Sequence, residues 1–345
     1  MSGERRLVIL AEGYSGDTHH GKTARGVMRY RPEQVVALLD SERAGETQDG
    51  FPIVGTPEEA LGLGATTALV GVATTGGRFP PAWRELLKAC IASGLDVENG
   101  LHEFISDDPE LGVLAARHGV ELRDLRKPPA GLSTPTGENL EHGSRVVLTV
   151  GSDCAIGKMT VALELDAETR SRGIASQFVP TGQTGIAIAG WGISVDAVVA
   201  DFIAGAAEQL VLEGISRGGE LLWVEGQGSL THPKYSGVTL GLLHGSAPHA
   251  LVLCHRARQP FVDDDERFPM PPLAELVELY ERSTLIARRA KVVAIALNTH
   301  ELDDEAGRAA IAAAETETGL PAADPVRFGR EGLVESVLDG LGSVR

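Results

Sequence analysis

The chain predicts an α/β protein of two domains, each a mostly parallel sheet covered by helices. Three observations carry that prediction. Residues 7–123 alternate short apolar runs with helical stretches. The segment Lys127-Pro-Pro-Ala-Gly-Leu-Ser-Thr-Pro-Thr-Gly137 then breaks the alternation with three prolines and two glycines. Beyond it, Val146-Val-Leu-Thr-Val150 runs straight into a glycine-framed turn that ends on a lysine. Alternation of this kind is what strands joined by crossover helices produce, and a Pro/Gly-rich break is where domains separate. We therefore place a first domain at residues 1–126, a linker at 127–144 and a second domain at 145–345.

The elements follow in order. The first domain has strands at Leu7–Ala11, Val35–Asp40 and Thr67–Ala73 and a helix at Pro81–Gly94. The second opens with the strand before the turn and a helix at Val161–Arg172. Strands recur at Ala175–Val179, Leu221–Glu225, Ala250–Cys254 and Val292–Leu297, with a helix at Val195–Glu213. No repeat of solenoid length and no low-complexity tract interrupts them. Ligands are expected at the carboxyl ends of strands and in the cleft between the domains.

With 345 residues, 43% hydrophobic and 23% charged, the chain has the composition of an ordinary globular protein with room for two cores. Its net charge of -17 argues against nucleic acid, whose phosphates demand clustered lysine and arginine. Cys90, Cys154 and Cys254 are odd in number and far apart, so neither a disulfide framework nor a zinc ribbon is indicated, and no metal site is expected. Arg5 and Arg6 precede too few apolar residues for a signal peptide, and no run is long enough to span a membrane. A soluble protein of the reducing cytoplasm is expected, without membrane contact, and as a two-domain metabolic enzyme it is expected to form a homo-oligomer.

The turn Gly151-Ser152-Asp153-Cys154-Ala155-Ile156-Gly157-Lys158-Met159-Thr160 has the chemistry of a phosphate cradle. Glycines let successive N–H groups point inward, lysine adds a mobile positive charge, and the following helix offers its amino end. Five residues separate the glycines where the strict pattern has four, and Met159 stands where that pattern puts a metal-binding hydroxyl. The strict pattern occurs elsewhere, at Gly16-Asp-Thr-His-His-Gly21-Lys22-Thr23. There the next strand starts near Val35, leaving only a short helix that contains Gly26 and stops at Pro32, too little for the usual crossover. Lys22, Arg25, Arg29 and Arg31 nevertheless concentrate positive charge beside His19 and His20. That segment reads either as a local anion pocket or as a solvated basic helix end.

Further candidates gather in the second domain. Glu225-Gly226-Gln227-Gly228 puts a carboxylate at the tip of an apolar strand, able to hold magnesium or accept a proton. Thr181-Gly182-Gln183-Thr184-Gly185 is a polar loop on the same expected edge, suited to a carboxylate or phosphate. Asp196, Asp201 and Glu208 follow one helix; Asp201, set among Val198, Val199, Phe202 and Ile203, reads as a buried acid with a task. His232, Lys234 and Tyr235 come within reach of the Glu225 loop, and Asn298-Thr-His300 ends a strand where a nucleotide base is often read.

The phosphate loop and the Glu225-Gly226-Gln227-Gly228 turn resemble those of dethiobiotin synthetase, an ATP-dependent enzyme. Over nearly its full length the chain is similar to another family, through Gly21-Lys22-Thr23-Ala24, Asp153-Cys-Ala-Ile-Gly-Lys-Met-Thr160 and Asp196-Ala-Val-Val-Ala-Asp201-Phe-Ile-Ala-Gly205-Ala-Ala-Glu208. It is identified as a member of the D-glutamate N-acetyltransferase DgcN-like family. That resemblance implies an N-terminal Rossmann-like domain, a C-terminal P-loop NTPase-like domain and a place in D-amino-acid catabolism. Gly50-Phe-Pro-Ile-Val-Gly55-Thr-Pro-Glu-Glu-Ala60 is similar to the CoA-binding domain of succinyl-CoA synthetase.

The expected reaction is transfer of an acetyl group from acetyl-CoA to the amino group of an acidic amino acid, D-glutamate. The loop would hold the pyrophosphate of acetyl-CoA without phosphoryl transfer. Glu225 or Asp201 is the expected base, with Cys154 either an acyl-carrying nucleophile or a neighbour of the oxyanion donors. Lys22, Thr23, Arg25, Thr181, Gln183, Thr184 and His232 are the expected substrate contacts. Two alternatives stay open: an ATP- and Mg²⁺-dependent ligase or kinase acting on a small carboxylate, and a nucleotide sensor without turnover.

Overall fold

A computed structural model describes residues 5–16, 21–72, 77–80 and 83–343. His19, His20, Ala73 and Pro81, named above, lie outside the described residues. By its internal contacts the chain divides into two compact units, Met1–Lys127 with Gln183–Ser194, and Pro128–Gly182 with Val195–Arg345.

The first unit runs β1 (Leu7–Leu10), α1 (Lys22–Tyr30), β2 (Val35–Leu39), β3 (Thr47–Gln48), β4 (Phe51–Val54), α2 (Pro57–Gly62), β5 (Thr67–Val70), α3 (Trp83–Ala92), β6 (Asp96–Asn99), α4 (Pro109–His118) and β7 (Leu122–Asp124). Its strands lie in the order β3-β4-β2-β1-β5-β6-β7, parallel throughout except for the short antiparallel edge strand β3. All four side chains of β1 are fully buried, because a central parallel strand is covered on both faces. Thr56 caps the start of α2: its hydroxyl accepts the Glu59 N–H, and Glu59 Oε2 reaches back one residue further to accept the Gly55 N–H.

The second unit runs β8 (Arg145–Gly151), α5 (Lys158–Ser171), β9 (Ser176–Val179), then, after an excursion into the first unit, α7 (Ile203–Ser216), β10 (Leu221–Val224), α8 (Ser236–Ser246), β11 (Ala250–Arg256), α9 (Leu273–Arg282), β12 (Lys291–Asn298), α10 (Asp304–Thr318), β13 (Ala322–Ala323) and α11 (Glu331–Ser343). The sheet order is β13-β12-β11-β8-β10-β9, all parallel. β8 is therefore central, with β11 on one side and β10 on the other. The order reverses at its carboxyl end, which is where open α/β sheets bind ligands.

The excursion is α6 (Gln183–Ala189), which packs with α1. The hydroxyls of Thr23 and Thr184 meet at 3.0 Å, and a Cβ on Gly26 would stand 3.2 Å from both Thr184 and Ile188. The last carbonyls of a helix lack partners within it. Here arginines supply them: Arg5 donates to Ala187 O at 2.9 and 2.8 Å, Arg31 to Ile188 O at 3.2 Å, and Arg123 to Gly190 O at 3.0 Å.

The helix expected over Val195–Glu213 is broken. Two 3-10 turns, Val195–Ala197 and Ala200–Phe202, precede α7, and Val199 between them is extended (φ -56, ψ 136). Three β-branched valines lower the helical tendency of that stretch.

Candidate functional site

The site is built at the carboxyl end of β8. Ala155 at φ 54 and Gly157 at φ 112 turn the backbone left-handed, giving the alternating geometry that points N–H groups inward. Lys158 starts α5 and is nearly buried; its Nζ donates to the Asp153 carbonyl at 2.6 Å. Its stem lies across two glycines. A Cβ on Gly151 would stand 3.1 Å from Lys158 Cδ, and one on Gly226 would stand 3.0 Å from the same carbon and 1.7 Å from Thr149 O. The glycine after Glu225 thus makes room for the lysine of the phosphate loop, and the Thr149 hydroxyl accepts the Gly226 N–H at 2.9 Å to fix the approach.

Glu225 and the Thr181 loop, separate in the sequence, meet here. β9 lies beside β10, so Glu225 Oε2 accepts the N–H groups of Thr181 (2.9 Å) and Gly182 (3.2 Å), while the Thr181 hydroxyl donates to Glu225 O at 2.7 Å. Gln227 Nε2 stands 3.4 Å from Glu225 Oε1. On the other flank, Thr160, Val161, Ile156 and Gly157 line a pocket of about 110 Å³ closed by Asn298 and Arg327, with His300 at its rim.

Burial places several of the expected contacts within the fold. The hydroxyl of Thr181 and those of Thr23 and Thr184 are buried and paired within the fold, where they hold elements together. Gln183 accepts from Arg126 at 2.7 Å. Lys22 and Arg25 lie on the exposed face of α1, whose other face, Thr23, Ala24, Gly26, Val27 and Met28, is buried. Asp201 is exposed on a 3-10 turn, which removes the argument from burial for its role as base. The buried acid of that stretch is Glu208, whose carboxylate accepts the N–H groups of Thr136 and Gly137.

Asp153 and Ser152, read as cofactor contacts, turn their side chains inward. The Asp153 carboxylate accepts Cys154 N–H at 2.7 Å, Asp263 N–H at 2.8 Å and a Gln259 side-chain N–H. Ser152 is fully buried against His255 Nδ1 at 2.8 Å. Asp263 and Gln259 are the residues the sequence reading missed. The run Asp263-Asp264-Asp265 signals a loop, and nothing local in it points to the phosphate loop. Asp263 and Asp264 adopt φ 59 and 52, left-handed values aspartate tolerates better than most residues.

Cys154 is half-buried, and burial pushes its thiol above the usual range, against the opposing Lys158 charge. His232 is almost wholly buried, and its Nδ1 accepts the Lys234 N–H at 3.1 Å, which leaves the ring proton on Nε2. A nucleophilic cysteine needs a depressed pKa and a base with an open lone pair. Cys154 has neither in this arrangement, which speaks against an acyl-carrying role.

A glycine-lysine loop at the switch point of a parallel sheet, in a chain that also carries a Rossmann-like sheet, defines a P-loop protein with an added domain. The chain belongs to the DUF1611 family: a model described as "Domain of unknown function (DUF1611_C) P-loop domain" matches residues 133–334, and one described as "Domain of unknown function (DUF1611_N) Rossmann-like domain" matches residues 39–128. It is 37% identical over 333 residues to a D-glutamate N-acetyltransferase of Tritonibacter scottomollicae, covering 95% of this chain and 97% of the relative. A D-glutamate N-acetyltransferase of Pseudoalteromonas sp is 35% identical over 81% of this chain and 83% of its own. A crystal structure of a DUF1611 family protein from Anabaena variabilis superposes with a TM-score of 0.87 at 40% identity, covering 97% of this chain and 99% of that one.

Proposed function

We propose that this protein transfers an acetyl group from acetyl-CoA to the amino group of D-glutamate. The observation that carries the reading is its near full-length similarity to two D-glutamate N-acetyltransferases. The phosphate loop supports the acyl donor: Lys158 and the turned amides of residues 155–157 suit a pyrophosphate, and Met159 follows the lysine where a magnesium-binding hydroxyl would stand. The pocket formed by Thr160, Asn298 and Arg327 flanks that loop and suits the adenine end of the same donor.

Attack on a thioester requires an unprotonated amine and stabilisation of the oxygen that gains charge. Glu225 takes the amine proton; its anchoring by the Thr181 and Gly182 N–H groups fixes the carboxylate before substrate arrives. The protein works in a reducing cytoplasm as a homo-oligomer within D-amino-acid catabolism; its three cysteines are all unpaired.

Thermal-shift titration with acetyl-CoA, MgATP and MgGTP in parallel tests the donor, because a ligand of the folded state alone raises its stability with saturation. Selective stabilisation by acetyl-CoA, followed by thiol release with D-glutamate in excess of L-glutamate, is the expected result. Stabilisation by MgATP alone, with phosphate release dependent on an acidic substrate, replaces this reading by a ligase or kinase.

A further inference from the structure

We propose that Asp153, Cys154 and His232 form a binding site for one borderline-soft divalent cation of the zinc type at the tip of the phosphate loop. A ligand atom from each of the three lies within 4.8 Å of the others. His232 Nε2 is 3.7 Å from Asp153 Oδ1 and 3.4 Å from Asp263 Oδ1. Two donors bound to one tetrahedral ion at about 2.1 Å stand roughly 3.4 Å apart. The His232–Asp153 spacing is close to that of co-ligands, and the three proposed ligand atoms, within 4.8 Å of one another, would draw together on binding.

The independent sign is His232 itself. The residue is 1% exposed, and its Nε2, turned toward these carboxylates, has no hydrogen-bond partner among the described residues. Its nearest acceptor, Asp263 Oδ1 at 3.4 Å, is long for a hydrogen bond, and a buried polar atom held that loosely calls for a water or an ion. A thiol, an imidazole and a carboxylate together select zinc-type ions over magnesium, which prefers oxygen donors and keeps its waters.

Protons balance as follows. The ion takes the Nε2 lone pair, the ring proton moves to Nδ1, and the Lys234 N–H contact opens; the Cys154 thiol gives its proton to water, as coordinated thiols do. Asp153 Oδ1 has two lone pairs and keeps the Cys154 N–H while it binds. The Asp263 carboxylate, already paired with Lys234, completes the surroundings. The site stands apart from the acetyl-transfer reading, since it requires neither donor nor substrate.

The test uses the full-length chain, stripped with chelator and titrated with Zn²⁺ alone and with Co²⁺ alone. Equilibrium dialysis with elemental analysis gives the stoichiometry, and the thiolate-to-cobalt charge-transfer band reports the sulfur ligand. We expect one equivalent bound, loss of the band in Cys154→Ser, and affinity weakened by on the order of 100-fold in His232→Gln, at the upper end of what losing even an outer-shell partner costs. Cys90→Ala retains the band. Because His232→Gln alters a buried position, Cys154→Ser, a change at a half-buried side chain, decides the case. Substoichiometric binding by the parent chain, or a band that persists in Cys154→Ser, overturns the proposal. Failure to take up Zn²⁺ or Co²⁺ by a chain that still transfers acetyl groups sinks this inference alone; cation binding without acetyl transfer sinks only the functional reading.

Discussion

In the first unit the loop after β1 closes on an acid: Asp40 accepts the N–H groups of Gly13 and Ser15, each at 3.2 Å. In the second unit the loop after β8 closes around a base, with Lys158 lying beneath it across Gly151 and Gly226. An acid draws amides inward and uses them up as donors, whereas a lysine laid under a left-handed turn adds positive charge to amides that face a phosphate. The strict motif letters fall in the first unit, where Gly21 has an ordinary φ of -81 and Lys22 is exposed; the imperfect letters fall in the second. The comparison teaches that a phosphate cradle depends on the neighbouring strand as much as on its own letters, because Gly226, at the end of β10, provides the space Lys158 occupies.

The strongest way to break that comparison is Gly226→Ala. A methyl group 1.7 Å from a backbone oxygen has nowhere to go, so the variant should lose about 3 kcal/mol or more, read as a lower urea midpoint. Retained stability would show that the close approach of Gly226 to Thr149, on which that comparison rests, is not required. Next, Lys158→Ala should weaken acyl-donor binding about 100-fold, the equivalent of one charge-assisted contact, while Lys22→Ala leaves it unchanged in the same titration. Equal effects would erase the distinction between the two loops.

Acid should also separate the units. Burial lowers His249 and His255 in the second unit from 6.5 to about 4. A depressed histidine contributes its full share of stability above pH 6.5 and loses it as pH falls toward 4. At pH 5 each ring accounts for about 2 kcal/mol, which His249→Gln should remove from the pH dependence. In the first unit the Arg84 guanidinium holds Asp108 at about 2 from 3.8, so that contribution is present above pH 3.8 and is lost only as pH falls toward 2. Calorimetry at pH 7 and pH 5 should therefore show the second unit melting earlier in acid; a uniform shift would contradict the assignment. The smallest effects lie in the first unit. Thr184→Val should cost about 1 kcal/mol by leaving the Thr23 hydroxyl unpaired. Gly112→Ala, within α4 and with nothing within 4 Å of its Cβ, should gain about 0.5–1 kcal/mol.

The elements were legible where the signal is local. β1 and β10 are unbroken apolar runs and β8 is apolar but for Arg145, Thr149 and Gly151, because both faces of a parallel strand are covered, and the Gly157-Lys158 turn announces itself by residue types that bend a backbone and carry charge. The helix over 195–213 was misread because apolar spacing alone does not show that Val199 is extended.

By itself, then, the sequence determined the two α/β sheets and the phosphate loop, since periodicity and turn chemistry act over a few residues. Tertiary structure alone decided the rest. Glu225 meets Thr181 across 44 residues because β9 pairs with β10; Asp153 meets Asp263 across 110 because β8 pairs with β11; and α6 joins the first unit because Arg5, 182 residues from Ala187, supplies a donor to a helix end that lacked one. Such pairings follow from which strands become neighbours, and strand order is a property of the whole sheet that no local run of residues encodes.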